Sequence, residues 1–105
     1  MLGVKITILR YADDSHPGWA ECELTDEHGK GWRFIEKVPV VTRADLDSSS
    51  SYPQPGLIAC QIIDRRLAPD GREVVTIDTS IPWDIESISG ETRFDVSPNQ
   101  LVDFE

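Results

Sequence analysis

The chain reads as an all-β domain, a small antiparallel barrel with a β-sandwich as the alternative. Three observations predict it. Apolar and polar residues alternate along most of the 105 residues, the two-residue period of strands with one buried face. Clusters of Gly, Pro, Asp and Ser punctuate the chain at short intervals, which is how turns between short strands are written. No long stretch keeps the three-to-four-residue apolar spacing of a helix. The expected count is six or seven short strands with one or two short helical turns. A barrel is preferred because closure leaves no long apolar edge open to another chain.

In "LGVKITILRYA", Leu2, Val4, Ile6 and Ile8 fall on one face while Gly3, Lys5 and Thr7 fall on the other. In "GWAECELT", Ala20, Cys22 and Leu24 point one way, and Trp19, Glu21, Glu23 and Thr25 the other. That is a half-buried antiparallel strand. "TDEHGKG" is a turn cluster, and "WRFIEKVPVV" is the return strand of a hairpin with a loop longer than two residues. Pro39 lacks an amide hydrogen and marks a strand end, an edge or a bulge. "TRADLD" is expected to start a single helical turn with Thr42 as its N-cap.

From Asp45 the chain runs "DLDSSSSYPQPGLIAC". Four serines give a flexible crossing between hairpins, Pro53 and Pro55 stiffen its end, and Gly56 releases it into a strand. "LIACQIIDRRL" reads as one strand with Ile58, Cys60 and Ile62 on a common face, and "APDG" turns it into its partner "REVVTIDT". In "SIPWDIESISGETRFDV", Gly90 separates two short strands, the second carrying Phe94 and Val96. Ser97 and Pro98 open a last helical turn, with Leu101 and Phe104 plugging one end of the fold. The whole of residues 1–105 is read as one domain, because neither flank of the serine stretch is long enough to fold alone.

Hydrophobic content of 39% and charged content of 28% are those of an ordinary globular chain. The formal charge is −9, and −7 of it lies between Glu73 and Glu105, where eight acids face the single base Arg93. An acidic surface repels phosphate backbones and anionic membranes, so neither nucleic acid nor membrane is an expected partner. It favours a basic protein partner. No apolar run approaches the ~20 residues of a membrane span. The N-terminus has no basic head followed by an apolar segment, so the expected compartment is the cytoplasm.

The constellations that carry chemistry are weak. Cys22, Cys60, His16 and His28 lack the close-paired spacing of a zinc site, so no metal is expected and the cysteines read as buried free thiols. "DDSHPG" places Asp13, Asp14, Ser15 and His16 together, but catalytic triads assemble from distant segments and a polar turn explains the cluster. Asp78, Asp84, Glu86 and Glu91 are numerous enough for an acid–base pair, yet a domain this small rarely builds the cleft that such a pair needs. No glycine-rich phosphate loop is present, and no cofactor is expected.

The aromatics are the better lead. Trp19 and Trp32 flank the first hairpin and are expected to pair across its strands. Trp83 stands apart in "SIPWDIES", and tryptophan is enriched at interface hot spots. The candidate binding set is Tyr52, Trp83, Asp84, Glu86 and Glu91, an aromatic anchor with an acidic rim. The segments "GWAECELTDEHGKGWRFIEKVPVV", "YPQPGLIAC" and "PWDIESISGETRFDV" resemble a group of small β-rich bacterial proteins. That resemblance implies a small bacterial cytosolic β domain and supplies no catalytic residues. The expected function is non-catalytic, through a protein–protein interface of the inhibitor or immunity kind. The alternatives are a small-molecule site near His16, Tyr52 or Trp83, and homo-oligomer formation at an edge near Pro39.

Overall fold

Strand β1 (Leu2–Asp13) organises the first of two antiparallel sheets in a computed structural model that describes residues 1–104. Its inward face, Val4, Ile6 and Ile8, is buried as the alternation predicts, and Lys5 and Thr7 face out. Along one edge β1 pairs with β4 (Gln54–Ala59), setting Lys5 opposite Leu57 and Thr7 opposite Pro55. Along the other edge two strands follow in series. The short β8 (Leu101–Asp103) takes Leu2 to Val4, and β2 (Trp19–Thr25) takes Thr7 to Asp13. Register shifts at Leu9 and Ala12 lie on the β2 side, and such extra residues bend and twist a strand. Strand β3 (Gly31–Lys37) completes the sheet as the hairpin partner of β2.

The second sheet is β5 (Gln61–Leu67), β6 (Glu73–Asp78) and β7 (Arg93–Val96), in that order. The two sheets face each other over one hydrophobic cluster. Val75, Ile77, Phe94 and Val96 from the second sheet meet Val4, Ile8, Leu24, Phe34 and Ile58 from the first. The aromatic centre of that contact is Phe94. Its ring lies edge-on to Trp32 at 5.4 Å and tilted against Phe34 at 5.7 Å.

The all-β reading holds, and the sandwich alternative describes the architecture. The ladders do not close into the barrel given first place, because β4 leaves the first sheet at its edge and becomes β5 of the second through one intervening residue, Cys60. "LIACQIIDRRL" is therefore two strands rather than one. The count of eight exceeds six or seven because of this split and the unforeseen β8.

Three further expectations change. The helical turn α1 is Val38–Val41, one step earlier than "TRADLD". Pro39 sits in its first turn, where a missing amide hydrogen costs nothing, and Thr42 caps its C-terminus instead. The stretch from Ser80 to Ser89 forms no strand, since its polar groups bond locally. Trp19 and Trp32 do not pair: Trp19 stands opposite Lys37 and Trp32 opposite Leu24. The turn after Ser97 forms as a 3-10 turn over Pro98–Gln100, with the reciprocal capping box of Ser97 and Gln100.

No helix among the described residues is long and apolar enough to cross a membrane. Arg10, Glu21, Glu23 and Arg33 pair across the strands on the outer face of the first sheet. Glu21 accepts from Arg10 at 2.8 Å and from Arg33 at 2.7 Å, and the Arg33 bond is the larger cause holding that carboxyl below its usual range. Strand β5 is an exposed edge, and it is guarded by Asp64, Arg65 and Arg66 and by a bulge at Ile63, devices that discourage strand addition.

Candidate functional site

The segment from Val38 to Leu57 shapes a concavity of the surface. Val38 donates its amide to Gly18 O at 2.9 Å, which docks α1 against the end of β2. Val41 and Leu46 are buried and hold the chain beside β4. There the fit is tight: a Cβ on Gly56 would lie 2.9 Å from the Val41 carbonyl oxygen and 2.9 Å from Ile6 Cδ1.

Asp47 orders the middle two of the four serines, Ser49 and Ser50. Its carboxylate accepts from Ser49 Oγ at 2.7 Å and from Ser49 N at 2.9 Å, and these bonds hold it below the usual carboxylate range. Tyr52 donates its hydroxyl to Asp47 O at 2.7 Å. The half-buried ring packs on the core, so Tyr52 anchors the loop. Pro53 and Pro55 then carry the chain into β4.

Between this segment and the outer face of the first sheet runs a groove. Its first part, about 680 Å³, is lined by Lys5, Thr7, Arg43, Pro53, Pro55, Leu57 and Val102 among others. Past Val41, Thr42, Arg43 and Leu57, which border both parts, it continues into a second of about 750 Å³. That part ends at Met1, Val40, Trp83 and Phe104.

Trp83 is held on a stiff turn. Asp78 accepts from Ser80 Oγ at 2.6 Å and Ser80 N at 2.8 Å. Thr79, fully buried, donates its hydroxyl to Ile85 O at 2.7 Å, and Ile85 N returns a bond to Thr79 O at 3.0 Å. Asp84 closes the turn with its amide on Ser80 O at 2.9 Å and takes the left-handed φ of 55°, which Asp tolerates better than most residues. The Trp83 side of the turn remains 45% exposed, with the indole edge-on to Phe104 at 6.4 Å. Phe104 in turn lies over Gly3, where a Cβ would come within 2.7 Å of the ring.

Of the candidate binding residues Tyr52, Trp83, Asp84, Glu86 and Glu91, the groove takes Trp83 alone, and Pro39, where an oligomer edge was the alternative, lines its second part. Tyr52 lies behind its wall and does not line it. Asp84, Glu86 and Glu91 are exposed, and none lines the groove. His16 stands exposed in a polar turn where Asp13 accepts from Ser15 N at 2.7 Å, and it lines neither part of the groove. Sequence reasoning missed Lys5, Arg43, Leu57 and Phe104. Gly3 and Gly56, two glycines inside strands, were the available signal of close approach at that edge.

A second, smaller hollow of about 200 Å³ lies where the β2–β3 loop meets the second sheet. Asp26 accepts from Trp32 Nε1 at 2.9 Å and from the amides of His28 and Lys30. Burial acts to raise the Asp26 pKa, and these donors outweigh it, leaving a net lowering. Asp95 accepts from Thr76 Oγ1 at 2.6 Å and from Arg66 at 2.8 Å, with His28 at 3.8 Å. The Thr76 bond is the largest cause of its lowered pKa. Glu27 donates its amide to Asp95 O at 2.7 Å, and its carboxylate pairs with Arg72. A general acid needs a raised pKa, and both aspartates are shifted the other way. The cluster is a latch between sheets.

The latch, together with Asp78 of the Trp83 turn, makes stability depend on acid in a defined direction. Asp26, Asp78 and Asp95 have folded pKa values below their ordinary range, Asp78 chiefly through the Ser80 hydroxyl. Such groups stabilise the fold above the unfolded value of about 3.9 and lose that contribution as pH falls through the lower folded values. The urea midpoint is therefore expected to change little through these groups between about pH 7 and 5 and to fall below about pH 4. Asp95→Asn is expected to lower the midpoint at neutral pH and to narrow its gap to the wild type in acid. A gap that stays constant to pH 2.5 contradicts this.

Cys22 and Cys60 are free and buried. Burial pushes their thiols up to about 12 and about 11, far from the thiolate needed for nucleophilic or metal chemistry. Among the described residues no three His, Cys, Asp or Glu side chains are grouped to hold a metal ion. No protein-family model, no curated protein and no solved structure matches the chain. The resemblance read from the three segments thus gains no named family.

Proposed function

We propose that this protein is a non-catalytic binding domain that acts through a protein–protein interface, with the groove as its contact surface and Trp83 as its anchor. The observation that carries the reading is the half-exposed Trp83, braced by Phe104, at the end of a long apolar groove. Contiguous apolar surface of this kind marks interaction sites, and a rigidly held tryptophan contributes far more than its share of binding energy. The groove is open along its length. That favours a polypeptide over a small ligand, which is ordinarily enclosed by its pocket. A cytoplasmic location is part of the proposal, and the free, buried thiols of Cys22 and Cys60 are compatible with a reducing compartment.

The acidic rim expected around Trp83 is not what borders the groove, where, among the described residues, Lys5 and Arg43 stand with Asp103 as the one acid. The reading therefore commits to an interface and leaves out the inhibitor role toward a basic partner. Its test is Trp83→Ala in a capture experiment from lysate of the native host. A saturable partner is expected for the wild type, with affinity falling by about 30-fold or more in the variant, the size of a hot-spot residue. The thermal midpoint is expected to stay within a few degrees. No saturable partner, or one bound equally by the variant, overturns the reading.

A further inference from the structure

We propose that the groove binds an extended peptide segment through an acidic side chain, Asp or Glu, seated between Lys5 and Arg43, with flanking apolar residues on Leu57 and Trp83. This rests on the interface reading above and names the chemistry of the partner. The ground for it is where the positive charges of the molecule go. The chain has ten Lys and Arg residues. Arg10, Arg33, Arg65, Arg66, Arg72 and Arg93 all form ion pairs with acids of the chain. Lys30 lies 4.0 Å over the Trp32 ring and Lys37 5.8 Å from that of Trp19. Lys5 and Arg43 have neither partner among the described residues, although acids outnumber bases 19 to 10. Both line the first part of the groove, and among the described residues no acid lines that part.

Two unneutralised cations lining one groove attract a carboxylate, and the attraction strengthens as a docking peptide displaces water from around them. The net charge of −9 does not cancel this attraction. At physiological salt the Debye length is about 8 Å, so acids on distant faces are largely screened at the groove. The form of the ligand follows from the walls. Strand β4 has a strand partner on one side only, and the two parts of the groove share four residues and run on from Pro53 to Trp83. A channel of that shape beside a strand accepts a polypeptide in extended conformation.

The test is selection of phage-displayed random heptapeptides on the intact protein, followed by titration of synthetic versions of the selected sequences. Expected are sequences carrying Asp or Glu beside aromatic or aliphatic residues. Their affinity is expected to fall by about tenfold or more in Lys5→Glu/Arg43→Glu and on replacing the acid by Asn or Gln, and also to fall in Trp83→Ala. Lys5 and Arg43 are exposed, so the charge variants keep the fold, and circular dichroism checks it. Peptides lost in Trp83→Ala but without acidic enrichment, and indifferent to the charge reversal, overturn this inference and leave the interface reading standing. Acidic peptides lost on charge reversal but indifferent to Trp83→Ala support the inference and remove Trp83 as the anchor. No selected peptide sensitive to either change overturns both. Self-association of the wild type, abolished by Arg43→Glu, assigns the groove to a second copy of the chain and overturns the peptide.

Discussion

Phe94→Ala is expected to lower stability by about 3–5 kcal/mol, the range for removing a buried phenylalanine. Phe94 is 3% exposed and belongs to the second sheet, and it meets two aromatic rings of the first, Trp32 and Phe34. Truncation removes the transfer free energy of the ring and leaves a cavity that neighbours from two sheets must close together. Both neighbours are restrained: Trp32 is tied to Asp26 by its indole N–H, and Phe34 is fully buried. The loss is a large share of the stability of a small domain, about 5–15 kcal/mol. Urea denaturation of the purified variant reads it. Phe94→Leu keeps most of the volume and is expected to cost well under half as much. A loss below about 1 kcal/mol for the alanine variant contradicts the role given to this ring.

The second large effect is expected at Gly56. An added methyl meets a backbone carbonyl oxygen, Val41 O, at 2.9 Å, besides Ile6 Cδ1 at 2.9 Å and Ile8 Cδ1 at 3.1 Å. A flexible side chain can swing away from such a contact, but a carbonyl in a docked helical turn moves only with its segment. Gly56→Ala is expected to cost about 1–3 kcal/mol, as overpacking of a well-filled site does. Because the displaced segment carries Val41, Thr42 and Arg43, the groove opens as the strain is relieved. Weaker binding of any groove ligand is expected along with the lower urea midpoint. A stability equal to the wild type contradicts the close approach. At Gly29, by contrast, nothing lies within 4 Å, and any cost of substitution there comes from its φ of 81° alone.

What was legible in the sequence was whatever depends on alternation or local turn chemistry. Ala20, Cys22 and Leu24 are inward and fully or almost fully buried, Glu21 and Glu23 outward, as read. "APDG" turns the chain between β5 and β6, and Ser97 with Pro98 opens a capped turn. The split at Cys60 was not legible, because Ile58, Cys60 and Ile62 keep their period across it while the ladder partner changes from β1 to β6. Strand β8 has three residues, too few for a period to show. "SIPWDIES" has strand-like composition, but Asp78 and Thr79 use their side chains to hold it as a turn.

The site was legible in one residue. Trp83 drew notice because a proline and an acid flank it outside any clean strand. Lys5 was legible only as an outward residue of a strand, and Arg43 only as part of a polar turn. Their distinction is that every other Lys and Arg side chain has an acid or an aromatic ring as partner, and that is a property of the folded surface as a whole.

The joint at Cys60 has a consequence for how errors are rejected. Strands β4 and β5 are one continuous run of backbone, with a single residue between sheets. A one-residue slip of β4 against β1 would carry Ile58 from the core to solvent, and the joint is too short to absorb the offset. The slip would pass directly to β5 and displace Ile62 from its place opposite Ile77. Misalignment in either half is thus penalised in both, so the hinge between the layers also acts as their proofreader.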